Sequence, residues 1–331
     1  MLGGFLALLS AITFGFNNAS VRRGVLSGSV LQALAITVPV GVPFFLVMIL
    51  VTGNIGAVTG LTTEAFLWLA AAGVLHFVIG RYCNYRSTKA IGGNLSGPWK
   101  QSNLILALVL AIVFLGEVLT PLKVAGIVLI LMGAYFTSKA TFKKPKPAKE
   151  GEPKPKHPEF EPSYREGYSF ALLSAVAYGS SPILVRMGLE SQGPGTSFWG
   201  GLISYSSAAL VIGLILLLPG RWKHVREVGQ SSVRWFSLAA ILVGFSQMFR
   251  YMALAIAPVS VVTPIQSTSV VFRVIFGWLI NRDTEVFGAW VVLGVLVTML
   301  GVLGLSVSTE IVTANLQLPD GIMRLVEFSW P

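Results

Sequence analysis

The chain contains the same sequence pattern twice, and this internal duplication restricts its fold more than any other feature. Residues 5–25 align with residues 169–189 at a constant offset of 164, and nine of these 21 positions are identical. The identical positions include glycine and arginine as well as leucine and alanine. Shared apolar composition would not align the glycines and arginines, so we interpret the chain as two copies of one unit.

A second pair of segments, residues 94–139 and 263–306, supports the duplication. Each segment reads as two apolar helices joined by a short acidic turn. Two glycines in the second helix of each segment align as well, Gly126 and Gly133 with Gly294 and Gly301. Small residues let membrane helices approach closely, so we expect these glycines to pack the fifth and tenth spans together.

The composition places the chain in a membrane. Hydrophobic residues make up 54% of it, charged residues 11%, and the mean hydropathy is +0.74. Apolar runs of about 20 residues recur, which is the length that crosses a bilayer as a helix. The formal charge of +10 lies in the loops between these runs, where it signals orientation, so we expect no nucleic-acid partner. Cys83 is the single cysteine, which excludes an intramolecular disulfide and a thiolate metal cluster.

Ten membrane spans are predicted, five in each copy. The first copy (residues 1–138) holds spans 2–21, 30–52, 65–86, 94–115 and 119–138, and the second (residues 166–307) holds spans 168–187, 197–219, 234–256, 262–281 and 286–307. A tether rich in lysine and proline, residues 139–165, joins the copies, and a tail, residues 308–331, ends the chain. Because five is odd, the second copy enters the membrane from the opposite side, which predicts an inverted pair.

Several short motifs in this pattern resemble a known family. They are the Phe14-Gly15 and Tyr178-Gly179 pairs of the first span, Pro98 and Pro264 early in the fourth span, and Leu115-Gly116-Glu117 before the fifth. The chain thus resembles the EamA repeats of the drug/metabolite transporter superfamily. The resemblance implies an all-α integral membrane protein of two inverted five-helix repeats. It also implies a central cavity lined by the first, third and fourth spans of each half.

Two signals predict opposite orientations of the chain in the membrane. Lysine and arginine are more frequent on the side of the tether, even when those of the tether are omitted, and this predicts a cytoplasmic tether with both termini outside. The family resemblance implies that both termini are inside. We follow the charge distribution, and we expect the protein in a bacterial cytoplasmic (inner) membrane.

Four cationic side chains fall within the predicted spans, Arg81, Lys100, Arg250 and Arg273, with no acidic residue at comparable depth. A charge inside a bilayer normally faces a wet cavity or a partner. One interpretation is that an anionic substrate supplies the negative charge, since arginine clamps a carboxylate or phosphate with two hydrogen bonds. The other is that Arg81, Lys100 and Arg250 reach the membrane surface or bond backbone carbonyls, while Arg273 lies deepest in its span.

Neutral polar and aromatic residues surround these cations, and we include them in the predicted substrate site: Asn17, Asn18, Tyr82, Gln101, Gln247, Tyr251 and Gln266. Each could instead hydrogen-bond between helices or anchor a span at the membrane surface. His76 is interpreted as a histidine satisfied by a neighbouring helix.

The sequence therefore predicts a secondary transporter, not an enzyme, that moves a small polar, anionic metabolite by alternating access. No phosphate-binding loop is present, so ATP is not expected to drive it, and facilitated movement or exchange is expected instead. No cofactor or metal is expected. The partners are the small-molecule substrate and the lipid bilayer, and the protein is expected as a monomer or homodimer. The alternatives are a flippase for a lipid-linked phosphate and an integral-membrane enzyme acting on a lipid phosphate.

Overall fold

The computed structural model describes residues 1–100, 102–116, 120–139, 163–189, 195–281 and 289–306, and all the regular secondary structure in them is helical. The first-half helices are α1 (Leu2–Val25), α2 (Val30–Thr37), α3 (Gly41–Thr52), α4 (Thr63–Gly73), α5 (Arg81–Lys100), α6 (Ser102–Leu115) and α7 (Pro121–Lys139). The second-half helices are α8 (Tyr164–Leu189), α9 (Thr196–Leu216), α10 (Arg221–Arg226), α11 (Gln230–Ile256), α12 (Val259–Ser267), α13 (Ser269–Ile280) and α14 (Ala289–Ser306). A 3₁₀-helix, Ile55–Gly60, precedes α4, and a π-helix, Val74–Gly80, joins α4 to α5.

Seven helical segments within the described residues are long and apolar enough to cross a membrane. They coincide with the first three predicted spans and with spans six to nine: Leu2–Val25, Val30–Thr52, Thr63–Ile91, Tyr164–Leu189, Thr196–Leu216, Gln230–Ile256 and Val259–Ile280. Shorter apolar helices occupy the other three predicted spans: Ser102–Leu115, Pro121–Gly133 and Val292–Gly301. The chain is therefore a multi-pass integral membrane protein, while the count of ten spans and the inverted topology stay predictions.

The second span is broken in its middle. α2 ends at Thr37, and the next amides bond three residues back instead of four: Gly41 N to Val38 O and Val42 N to Pro39 O, both at 3.1 Å. Proline at positions 39 and 43 offers no amide hydrogen to an α-helical ladder. The Thr37 carbonyl thus loses the helical donor that Gly41 would have provided.

The third and fourth predicted spans meet within α5, and the chain reverses there. The Lys100 ammonium donates to Asn84 Oδ1 at 2.7 Å and to Thr88 Oγ1 at 2.9 Å. In a straight helix the 16 residues from Asn84 to Lys100 would rise about 24 Å, far beyond the reach of a lysine side chain. The reversal lies between Thr88 and Lys100, where the sequence has three glycines and a proline.

The ninth span is also discontinuous, because α12 and α13 are separated at Thr268. The amides of Thr268 and Val271 bond carbonyls three residues back, at 3.1 and 2.8 Å. Pro264 within α12 removes one further hydrogen bond of the helix. The ninth predicted span therefore consists of two consecutive helices, because the local bonds at Thr268 end the α-helical ladder.

The two halves make equivalent contacts through glycines of their first spans. A Cβ added at Gly15 in α1 would come within 2.5 Å of Phe272 in α13, and one added at Gly179 in α8 would come within 3.1 Å of Leu106 in α6. The offset of 166 that aligns Pro98 with Pro264 also aligns Leu106 with Phe272. Each first span therefore packs on the fourth span of the other half.

The glycines of the fifth and tenth spans pack as the sequence predicts. A Cβ added at Gly133 in α7 would come within 2.6 Å of the Gly294 carbonyl in α14. One added at Gly301 would come within 2.7 Å of the Gly126 carbonyl. Without side chains at these positions the two helices approach backbone to backbone, and this expectation is confirmed.

Candidate functional site

A cavity of about 110 Å³ lies between helices of both halves. It is lined from α1, the π-helix, α5 and α6 in the first half, and from α8, α11, α12 and α13 in the second. These elements are the first, third and fourth spans of each half, which is the lining that the family resemblance implies. A water molecule needs about 10–15 Å³ by this kind of measure, so the cavity holds several waters or a small solute.

Arg250 lines the cavity and is 2% exposed. Its guanidinium donates to Ser181 Oγ at 3.0 Å and to Gln247 Oε1 at 3.1 Å, and it lies 3.4 Å from His76 Nδ1. His76 Nδ1 is in turn 2.7 Å from Ser181 Oγ. We call Arg250, His76, Ser181 and Gln247 the Arg250 cluster.

The local backbone brings His76 to this cluster. His76 lies on the π-helix, and a π-helical turn is a rare departure that often occurs at functional sites. The Tyr178 ring packs against the His76 ring, with centroids 4.5 Å apart. A side chain at Gly80 would come within 2.7 Å of Tyr178, so Gly80 leaves space for that ring.

Lys100 lies in a second group of cavity residues. Asn84 and Thr88 accept its two hydrogen bonds, and Arg22 Nη1 lies 3.5 Å from the Thr88 carbonyl. We call Lys100, Asn84, Thr88 and Arg22 the Lys100 cluster. Arg273, in α13, also lines the cavity and lies close enough to Lys100 for their like charges to repel.

The lining of the cavity is cationic. Four of its residues are basic, namely Arg22, Lys100, Arg250 and Arg273. Within the described part of the chain, no aspartate or glutamate is among the lining residues. Chemically, such a wall attracts an anion and repels a cation.

Six of the eleven residues predicted for the site line this cavity: Asn18, Lys100, Gln247, Arg250, Gln266 and Arg273. Gln266 and Arg273 lie on opposite sides of the break at Thr268, and Gln266 Nε2 donates to Ser10 Oγ at 3.1 Å. Whether these six residues bind a substrate stays a prediction.

Arg81 is not among the residues that line the cavity, although it aligns with Arg250 in the repeat. Its guanidinium donates to the Thr37 carbonyl at 3.3 Å and to the Tyr205 hydroxyl at 3.1 Å, and it lies 4.8 Å from the centre of the Phe77 ring. The break after α2 leaves that carbonyl without its helical donor. In the second half α9 runs unbroken from Thr196 to Leu216 and offers Arg250 no such carbonyl.

The other predicted residues also lie outside the cavity lining. Tyr82 is 37% exposed and packs edge-on against Phe170. Tyr251 is buried near Phe45, with ring centroids 6.3 Å apart, and Asn17 is buried on α1. Gln101 falls outside the residues that the structure describes.

The cavity residues that were not predicted for the site include His76, Tyr178, Asn84 and Thr88. His76 is hydrogen-bonded to a neighbouring helix, as expected, but it also forms part of the cavity wall. Asn84 and Thr88 are four residues apart on one face of α5, following the cation at position 81. That spacing of polar side chains in an apolar helix was the available signal.

Comparison with known proteins supports a transport role for this architecture. Residues 1–139 and 165–307 both match the EamA-like transporter family. A solved structure titled only "Crystal structure of protein" has 18% sequence identity and a TM-score of 0.61, covering 92% of this chain and 94% of its own. At that identity the similarity shows the fold alone. No curated protein matches the chain.

The family assignment covers both copies of the repeat and most of the chain. Members of this family are membrane transporters and not enzymes. The cavity and the apolar helices around it are consistent with such a role. The chain therefore belongs to the EamA-like transporter family of the drug/metabolite transporter superfamily.

Proposed function

We propose that the protein is a secondary transporter of a small, polar, anionic metabolite, which binds in the cavity between the two halves. The observation that carries the proposal is that Lys100 and Arg250 line the cavity and have neutral hydrogen-bond partners. Asn84 and Thr88 accept from Lys100, and Ser181 and Gln247 accept from Arg250.

The positive charge is costly where it lies. A cation near the centre of a bilayer costs about 2.5–3.5 kcal/mol on insertion scales. Neutral hydrogen bonds compensate part of that cost but leave the net charge in place. An anion in the cavity would be attracted by the whole lining, and arginine at position 250 can present a planar pair of donors to a carboxylate or phosphate.

Alternating access between inverted halves is the mechanism we propose for movement. Two features support it. The first span of each half packs on the fourth span of the other through Gly15 and Gly179, so the halves interlock in equivalent ways. Discontinuous helices, such as α12 and α13, border the sites of many transporters built from inverted repeats.

The driving force we propose is the substrate gradient itself or exchange against a second anion. Export of one net negative charge from an electrically negative interior gains about 2.3 kcal/mol per 100 mV. Net movement of the anionic substrate would therefore be outward. In exchange, the entry of one anion would instead be coupled to the exit of another. We place the protein in a bacterial cytoplasmic membrane.

Transport by the purified protein in vesicles tests the proposal. We would measure uptake and efflux of organic anions, phosphorylated metabolites, amino acids and organic cations. Anions should move, and Arg250→Gln should abolish their movement while the variant stays folded. Arg221→Gln, on the exposed helix α10, is the matched control and should transport normally. Movement of cations or neutral amino acids alone would refute the proposal.

A further inference from the structure

We infer that the substrate carries two acidic groups separated by a short spacer, one bound at the Arg250 cluster and the other at the Lys100 cluster. The inference rests on the proposed anion transport and narrows it to one chemical class. Dicarboxylates and phosphorylated carboxylates both belong to this class.

The two clusters lie at different levels of one helical segment. The Arg250 guanidinium lies beside the side chain of His76, and the Lys100 ammonium lies beside the side chains of Asn84 and Thr88. From His76 the chain advances eight residues to Asn84 and twelve to Thr88. At about 1.5 Å per residue these backbone positions are roughly 12–18 Å apart along the axis, so the two cations are bonded to different parts of the segment.

Both clusters nevertheless line the same cavity. Arg250, His76 and Gln247 of the first cluster line it, and so do all four residues of the Lys100 cluster. Asn18, Tyr178 and Gln266 also line it. Nothing in the described lining supplies a negative charge between the two levels. A solute that extends along the cavity would therefore meet a cation at each end.

The Lys100 end is suited to an acidic group because two cations approach each other there. Lys100 and Arg273 lie close enough to repel, and like charges in a medium of low dielectric constant repel more strongly than in water. An acidic group at this end would turn that repulsion into attraction. The Arg250 end offers the planar donor pair of a guanidinium, which suits a carboxylate or a phosphate.

A substrate with a single acidic group would fill only one of these positions. The other cation would then remain inside the membrane helices without an anion. Each added acidic group, correctly spaced, should instead increase the affinity. We expect the best dianion to bind about tenfold tighter, or more, than the monoanion of the same length.

The experiment compares ligands that differ only in the second acidic group. Purified wild-type protein is titrated with α,ω-dicarboxylates of increasing chain length, with monocarboxylates of the same lengths, and with phosphate monoesters of hydroxy acids. Binding is measured by thermal stabilisation in detergent and by competition with transport in vesicles. Affinity should pass through a maximum at one spacing in the dicarboxylate or the phosphorylated series, and the series that binds tighter identifies the second acidic group.

Variants then assign the two ends. Arg250→Gln and Lys100→Gln should each remove the preference for the dianion, leaving it no tighter than the matched monoanion. Arg250→Lys and Lys100→Arg keep the positive charge and should retain part of the preference for the dianion. Because they change the same positions, they distinguish a loss of binding from a loss of folding. Arg221→Gln and Lys223→Gln, on exposed α10, are matched controls and should keep the full preference.

The outcomes separate this inference from the proposed function. Equal binding of monoanions and dianions by the wild-type protein would overturn the two-group substrate but leave anion transport standing. A dianion preference that survives Arg250→Gln or Lys100→Gln would overturn the assignment of the two ends. Binding of neutral or cationic solutes alone would overturn the proposed function together with this inference.

Discussion

Gly15 in α1 lies directly against the backbone of Arg273 in α13. A Cβ added at Gly15 would come within 2.7 Å of the Arg273 amide nitrogen. At the equivalent place in the other half, a Cβ added at Gly179 would come within 2.7 Å of the Asn103 carbonyl oxygen. Both contacts are with backbone atoms, and Arg273 and Asn103 both line the cavity, so the absence of a side chain at each glycine allows the helices to pack closely beside the site.

Substitution of either glycine by alanine should destabilise the protein. Overpacking of one methyl group against backbone typically costs about 1–3 kcal/mol, so Gly15→Ala and Gly179→Ala should both lower the melting temperature in detergent. Gly213→Ala is the matched control, because nothing lies within 4 Å of a Cβ added at that position in α9. Equal melting temperatures for all three variants would contradict the packing described here.

The aligned pair Arg81 and Arg250 should respond differently to the same substitution. Arg81→Gln removes the donor to the Thr37 carbonyl and the Tyr205 hydroxyl, and an unsatisfied buried polar group costs about 1–3 kcal/mol. It should therefore lower the melting temperature and leave the KM for transport unchanged. Arg250→Gln should abolish transport. A raised KM in Arg81→Gln at unchanged stability would return Arg81 to the substrate site.

Ser181 should position Arg250, because its hydroxyl lies between the Arg250 guanidinium and His76 Nδ1. Loss of one such hydrogen bond is worth about 1 kcal/mol, so Ser181→Ala should raise the KM roughly fivefold. Ser180→Ala is the neighbouring control, since Ser180 Oγ bonds the Val176 carbonyl within its own helix. An identical KM for the two variants would show that the Arg250 cluster does not depend on Ser181.

The tether should lie in the cytoplasm, according to the distribution of lysine and arginine. A cysteine placed there by Glu150→Cys, in a Cys83→Ser background, should react with a membrane-impermeant thiol reagent only in opened cells or inverted vesicles. Labelling of intact cells would instead favour the orientation that family members usually have. Gly56 is exposed in the structure and is predicted to lie on the opposite side of the membrane. Gly56→Cys is therefore the reciprocal control, and it should react in intact cells.

The helical architecture follows from the sequence because long apolar segments and aligned glycines are local signals. The close approach of α7 and α14 was predicted in this way from Gly126, Gly133, Gly294 and Gly301. The breaks after Thr37 and at Thr268 were not, although Pro39, Pro43 and Pro264 lie beside them, because proline is tolerated within membrane helices and does not by itself end one. Only the hydrogen-bond pattern of the folded chain shows where the helices end.

Part of the cavity lining could be predicted from the sequence. Cations within apolar spans must find a partner or a cavity, and this argument identified Lys100, Arg250 and Arg273. It could not distinguish Arg250 from Arg81, because the same Arg-Tyr pair occurs in both copies. The difference depends on the broken helix α2, whose free carbonyl lies far away in the sequence.

The most direct test of the account is a structure of the protein with a transported anion bound. The distance to measure joins an oxygen of the acidic group to a guanidinium nitrogen of Arg250. The account predicts a hydrogen bond, shorter than about 3.2 Å, within the cavity between the two halves. An acidic group that lies outside this cavity, or a ligand that binds there with no contact to Arg250 or Lys100, would contradict it.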